Sequence, residues 1–171
     1  MPKRKGHPTG RAKKPVVESE TVFFYAPNEK PYGIFCQWYS SPIVIPTASL
    51  EFLDTFSTAT PTPSTILSTY APSIAFTCAE QFYMFCKAVY FSDASSCTRI
   101  LNTRDPKEQK ALGARVSGFN DYKWTRVKSR VARVGNWYKY VQNRAMKDVL
   151  LGTGERELAE ASSRDRVWGI G

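Results

Sequence analysis

Apolar positions along the chain change period near its middle. Val22 to Tyr25, Ile34 to Tyr39 and Ile43 to Ile45 are short runs rich in β-branched and aromatic residues. Turn residues bound them, Ala26-Pro-Asn-Glu-Lys-Pro31 and Ser40-Ser-Pro42, so they predict strands of a small sheet. Residues 57–73, STATPTPSTILSTYAPS, are too rich in Ser, Thr and Pro to bury much surface and predict an exposed loop. From Thr77 the period becomes helical. Phe82, Phe85, Cys86 and Val89 share one face of a helix over Thr77–Phe91, and Glu80, Gln81 and Lys87 occupy the other. Asp105, Pro106 and Glu108 supply a cap, a first-position proline and an acidic first turn for a helix through about Val116. Another helix starts at Asp121, with Trp124, Val127, Val131 and Val134 inward. A last long helix follows Asn136, turns Val141, Ala145, Val149 and Leu150 inward, and ends at Gly152. Strands first and helices afterwards predict an α+β fold.

The Thr77–Phe91 stretch carries the chemistry, and two readings of it stand side by side. Thr77 and Glu80 have the spacing of a capping box, in which Glu80 serves only the helix start. Alternatively, a carboxylate at the positive end of a helix dipole is an oriented anion suited to an active site.

Composition narrows the choice. The only histidine, His7, lies in the N-terminal tail, so a folded domain without it has no Ser-His-Asp triad, Cys-His pair or histidine-built metal site. Proton chemistry would fall to carboxylates. Cys36, Cys78, Cys86 and Cys97 lack metal-ligand spacing and read as free thiols of a reducing compartment. There is no membrane-span-length apolar run and no signal-like apolar segment, which predicts an intracellular protein. The net charge of +9 is concentrated in Lys3, Arg4, Lys5, Arg11, Lys13 and Lys14, with no acidic residue before Glu18. Residues 1–20 therefore read as a disordered basic tail, either a nuclear address or a phosphate-binding arm, or a solvated tail without a specific role.

Three spaced blocks carry a family resemblance: Pro31-Tyr-Gly-Ile-Phe-Cys-Gln-Trp-Tyr39, Ala79-Glu-Gln-Phe-Tyr-Met-Phe-Cys-Lys-Ala88, and Leu150 to Gly171 with Ala161-Ser-Ser-Arg-Asp165 and Trp168-Gly-Ile-Gly171. The chain resembles the NADAR (YbiA-like, DUF1768) family over about residues 22–171. The resemblance implies one YbiA-like domain over 21–171, an insertion at about 57–73, and a C-terminus shorter than is usual in the family. It also implies hydrolysis of the C1′–N bond of a ribosylated, nucleotide-like substrate: an ADP-ribose adduct (including one carried on nucleic acid), an NAD-related compound or a ribosylaminopyrimidine phosphate. No metal or cofactor is implied. Glu80 and Asp165 become the catalytic carboxylates. Gln81, Trp38, Trp168, Phe35, Lys87 and Asn136 become substrate-binding residues, with the aromatics stacking a base and Lys87 or the amides of a helix opened by Asn136 meeting phosphate. Arg126, Lys139 and Arg166 are further phosphate candidates. Where the family has S-N-W-Y this chain has Cys36-Gln-Trp-Tyr39, a change near the expected pocket that bears on substrate identity. A pocket that binds the nucleotide without cleaving it is the alternative.

Overall fold

The computed structural model describes residues 20–162, so Asp165, Arg166 and Trp168 lie outside the described residues. Four strands form two separate pairs. β1 (Thr21–Phe24) runs parallel to β4 (Glu157–Glu160), with Thr21 opposite Glu157 and Phe24 opposite Glu160. β2 (Ile43–Pro46) runs antiparallel to β3 (Ser73–Phe76), with Ile43 opposite Phe76. The single N-terminal sheet of the sequence reading is thus two small sheets, one of them completed from the far end of the chain. The remainder is mostly helical, and the α+β class holds.

Ile34 to Tyr39 is not a strand. Tyr32–Phe35 forms a 3-10 turn, and Gly33 packs so closely on the Ala26 and Pro27 carbonyls that an added Cβ would lie 2.6 Å from the first. Downstream, the carbonyls that a strand would offer a neighbour are taken elsewhere. Cys36 O accepts from Lys139 Nζ at 3.0 Å and Gln37 O accepts from the Glu80 amide at 3.1 Å.

The 57–73 interval is not wholly loop either. Thr62 caps α1 (Pro63–Ser68) by accepting from the Thr65 amide, Pro63 occupies the first turn, and Ile66 and Leu67 are buried. A Thr-Pro start followed by Ile-Leu can bury one small apolar face, which the overall composition of the interval concealed.

α2 (Ala79–Tyr90) is the central element, and all twelve of its residues are buried. It packs against α3 (Ala94–Asn102), α4 (Pro106–Ala114) and α6 (Lys128–Gln142), with Phe82 and Phe85 set edge-on to Phe76 at 5.3 and 5.4 Å. Its Glu80, Gln81 and Lys87 are therefore interior groups, not a solvated face. Thr77 does not cap it. Cys78 holds the cap position without a side-chain bond, while the Thr77 amide and hydroxyl both donate to Gln81 Oε1, at 2.7 and 3.1 Å.

α4 starts as expected, with Asp105 accepting from the Lys107 amide and Pro106 in the first turn. After α5 (Asp121–Thr125), α6 runs through Asn136 without a break, so Asn136 opens no helix and offers no free terminal amides. The break falls at Asn143, whose Nδ2 donates to Lys139 O at 2.7 Å. α7 (Arg144–Leu151) follows and contains no buried residue, with Val141 half exposed just before it, in contrast to the inward face expected there. Gly152 does end the segment. All four cysteines are buried free thiols. Among the described residues no helix is long and apolar enough to cross a membrane, and no His, Cys, Asp and Glu cluster is arranged for a metal.

Candidate active site

One side of α2 opens onto a cavity of about 500 Å³. Glu80, Tyr83, Met84 and Lys87 line it, the i, i+3, i+4, i+7 series of one helical face. Glu80 sits in the first turn, where the positive end of the helix dipole favours an anion. It is only 6% exposed. Lys87 lies two turns further on, about 10 Å along the axis. Its Nζ is 3.8 Å from the centre of the Phe119 ring. Burial pushes the Lys87 ammonium below its ordinary range, and nearby Asp121, which also lines the cavity, opposes that shift.

The opposite wall is the segment Cys36-Gln37-Trp38, with Tyr25, Ala26 and Pro27 beside it. It is fixed at two points, by Lys139 at Cys36 O and by the Glu80 amide at Gln37 O. Trp38 faces Lys110, whose Nζ lies 6.0 Å from the ring centre. Trp124 and Tyr83 close the floor, the indole N–H donating to the Tyr83 hydroxyl at 3.1 Å. Carboxylates of Glu80, Asp121 and Glu160 and ammonium groups of Lys87, Lys110 and Lys128 are thus distributed around an aromatic-walled space. That combination suits a ligand with a flat ring, a polar middle and an anionic end.

The residues picked out from sequence separate into two groups. Glu80, Trp38 and Lys87 meet at the cavity. Gln81, one residue from Glu80, points away from it: its Nε2 donates to Ile100 O and Thr103 O, both at 2.9 Å, and so anchors α2 to the end of α3. Phe35 is buried behind the wall, stacked on Tyr32 at 5.7 Å and edge-on to Phe24. Asn136 lies in the middle of α6, away from the lining. Lys139 is fully buried beneath the wall and Arg126 stacks on Phe56 at 4.6 Å, so neither lines the cavity. Tyr83 and Met84 were legible from helical spacing once Glu80 was chosen. Glu160 stands within the C-terminal block. Phe119, Asp121 and Lys128 carry no local pattern that sets them apart.

The NADAR domain family matches residues 23–171. The chain belongs to the NADAR family. A NADAR relative from Acanthamoeba polyphaga mimivirus, named an N-glycosidase, is 32% identical over 152 residues, 88% of this chain and 77% of its own. One from Nostoc punctiforme, also named an N-glycosidase, is 32% identical over 92 residues, 54% of this chain and 59% of its own. A riboflavin biosynthesis protein of Vibrio vulnificus is 24% identical over 155 residues, 91% of this chain but 34% of its own length.

Proposed function

We propose that this NADAR protein is an N-glycosidase that hydrolyses the C1′–N bond of a ribosylated, nucleotide-like substrate. The observation that carries the reading is Glu80, a nearly buried carboxylate at a helix N-terminus on the wall of an aromatic-lined cavity, with a cation two turns away on the same face. The two relatives named N-glycosidases support the reaction class.

In this reading the base or amine stacks on Trp38, the ribose lies beside Glu80, and phosphate reaches toward Lys87. As the C1′–N bond breaks, its electron pair leaves with the nitrogen and the ribose becomes oxocarbenium-like. The Glu80 carboxylate stabilises that positive charge and accepts a proton from the attacking water, whose oxygen forms the new bond to C1′. The departing nitrogen takes up a proton, for which Asp165 is the proposed donor, and Trp168 is proposed as a second stacking surface. Gln81, Phe35 and Asn136 act through the framework in this reading. The substrates proposed are an ADP-ribose adduct, an NAD-related compound or a ribosylaminopyrimidine phosphate, and the chemistry asks for no metal or cofactor.

The test compares the full chain with Glu80→Gln, both shown to be folded by circular dichroism, on NAD, ADP-ribose, an ADP-ribosylated guanine oligonucleotide and a ribosylaminopyrimidine phosphate. Released base or amine is detected by mass spectrometry. A loss of about 10²- to 10⁴-fold in turnover with binding retained supports the reading. Binding without turnover by the unaltered chain would make the site a nucleotide-binding module instead.

A further inference from the structure

The outer side of α6 carries a second feature, well separated in kind from the cavity. Between Asp121 and Asp148 the chain has no carboxylate and eight Lys or Arg residues. Val131, Gly135 and Lys139 turn one side of α6 into the protein, Gly135 so tightly that an added Cβ would lie 2.5 Å from the Phe82 ring. Arg130, Arg133 and Trp137, at i, i+3 and i+7, share the opposite side. They line a shallow groove with Ser49, Val134 and Tyr138, whose floor is fixed by the 2.7 Å hydrogen bond between the Ser49 and Tyr138 hydroxyls.

Two cations here are held over aromatic rings before any ligand arrives: Arg130 of α6 lies 4.4 Å over the Phe52 ring, and Arg126, in the turn just before α6, lies 4.6 Å over Phe56. Among the described residues none of Arg126, Arg130 and Arg133 is paired with a carboxylate. A guanidinium held over a ring face by its carbon, with no carboxylate partner, keeps N–H donors available for contact with phosphate. Beside them Trp137 is 67% exposed, a large indole surface left open to solvent among the arginines.

We propose that this face of α6, with Arg126 of the turn before it, docks single-stranded nucleic acid, Arg126, Arg130 and Arg133 lying on phosphates and an unstacked base on Trp137. Charge complementarity selects a polyanion, and the exposed indole among the arginines selects one with free ring faces. An amphipathic membrane helix would present a broad apolar side, whereas the apolar side of α6 is already packed on α2. The proposal does not rest on the cleavage reading, because the groove shares no residue with the cavity.

The experiment uses the full chain with Lys3, Arg4, Lys5, Arg11, Lys13 and Lys14 replaced by Gln, so that the tail contributes no phosphate contacts. Anisotropy of a short labelled single-stranded oligonucleotide is followed over about 50 to 200 mM salt, with duplex DNA and phosphatidylserine vesicles as comparisons. Arg130→Gln with Arg133→Gln should lower the slope of log affinity against log salt by about 1.4, two single-strand phosphate contacts. Trp137→Ala should weaken binding about tenfold and leave the slope unchanged. These side chains are exposed, so the variants keep the fold, and hydrolysis of a free nucleotide should be unaffected by the arginine pair. Affinity unchanged in both variants, preference for duplex with no effect of Trp137→Ala, or binding of vesicles without binding of the oligonucleotide would each overturn the proposal.

Discussion

Lys139 Nζ donates to Cys36 O at 3.0 Å across 103 residues of chain. The next carbonyl, Gln37 O, accepts from the Glu80 amide, so one buried ammonium group helps to fix the wall that faces the candidate catalytic carboxylate. Burial pushes the Lys139 ammonium down to about 8 from its ordinary 10.5. Between those values the unfolded chain holds the proton and the folded chain releases it. Stability contributed by this site therefore rises with pH across that window. Lys139→Met removes the contribution. The stability gap between wild type and variant should widen in favour of wild type from about pH 8 to 10.5, by at most on the order of 3 kcal/mol. Urea denaturation at the two ends of the window is the measurement, and a gap that narrows would show that the ammonium is not desolvated.

Gln81, next to the proposed catalytic carboxylate, is built into the framework. Its side chain accepts from the Thr77 amide and donates to Ile100 O and Thr103 O, and Gln109 Nε2 donates to the same Thr103 carbonyl at 2.9 Å. Gln81→Leu leaves buried carbonyls and an amide short of partners. Destabilisation of about 2 to 4 kcal/mol is expected in chemical denaturation. At a temperature where the variant is folded, its KM should match wild type. A raised KM with unchanged stability would instead put Gln81 on the substrate.

Glu80 and Lys87 show what the sequence made legible. Helical spacing found α2 and placed Glu80 and Lys87 on one side of it, because periodicity depends only on the chain itself. It did not reveal that the side opposite Phe82 and Phe85 is also buried, since that depends on Cys36–Trp38, α3 and α4 folding over it. The strand expected at Ile34–Tyr39 failed for a similar reason: its carbonyls are claimed by Lys139 and by Glu80, partners far off in sequence. β4 was invisible as a strand because Glu157–Glu160 alternates poorly and is defined by its pairing with β1.

Two glycines at helix contacts should differ in the cost of an added methyl group. At Gly135 the Cβ would lie 2.5 Å from the Phe82 ring, which is held edge-on by Phe76 and cannot retreat. At Gly113 it would meet Met84 Sδ and lie 2.8 Å from Met84 Cγ, on a flexible side chain that lines the cavity. Gly135→Ala should lose about 1 to 3 kcal/mol. Gly113→Ala should lose less in thermal denaturation but raise KM, because Met84 yields by moving into the ligand space.

Lys87 tests which end of the cavity takes phosphate. The ammonium is buried, 3.8 Å over Phe119, with Asp121 as its nearby counter-charge, and it stands about two helical turns from Glu80. If the phosphate of the substrate meets this group, Lys87→Met should raise KM for a phosphorylated substrate about tenfold or more and change kcat little, since the contact is made equally in ground and transition states. The matching substrate without phosphate should show nearly the same KM in both proteins. An equal loss for both substrates would mean that Lys87 supports the wall through Phe119 and Asp121, and phosphate recognition would then pass to Lys110 and Lys128 at the rim.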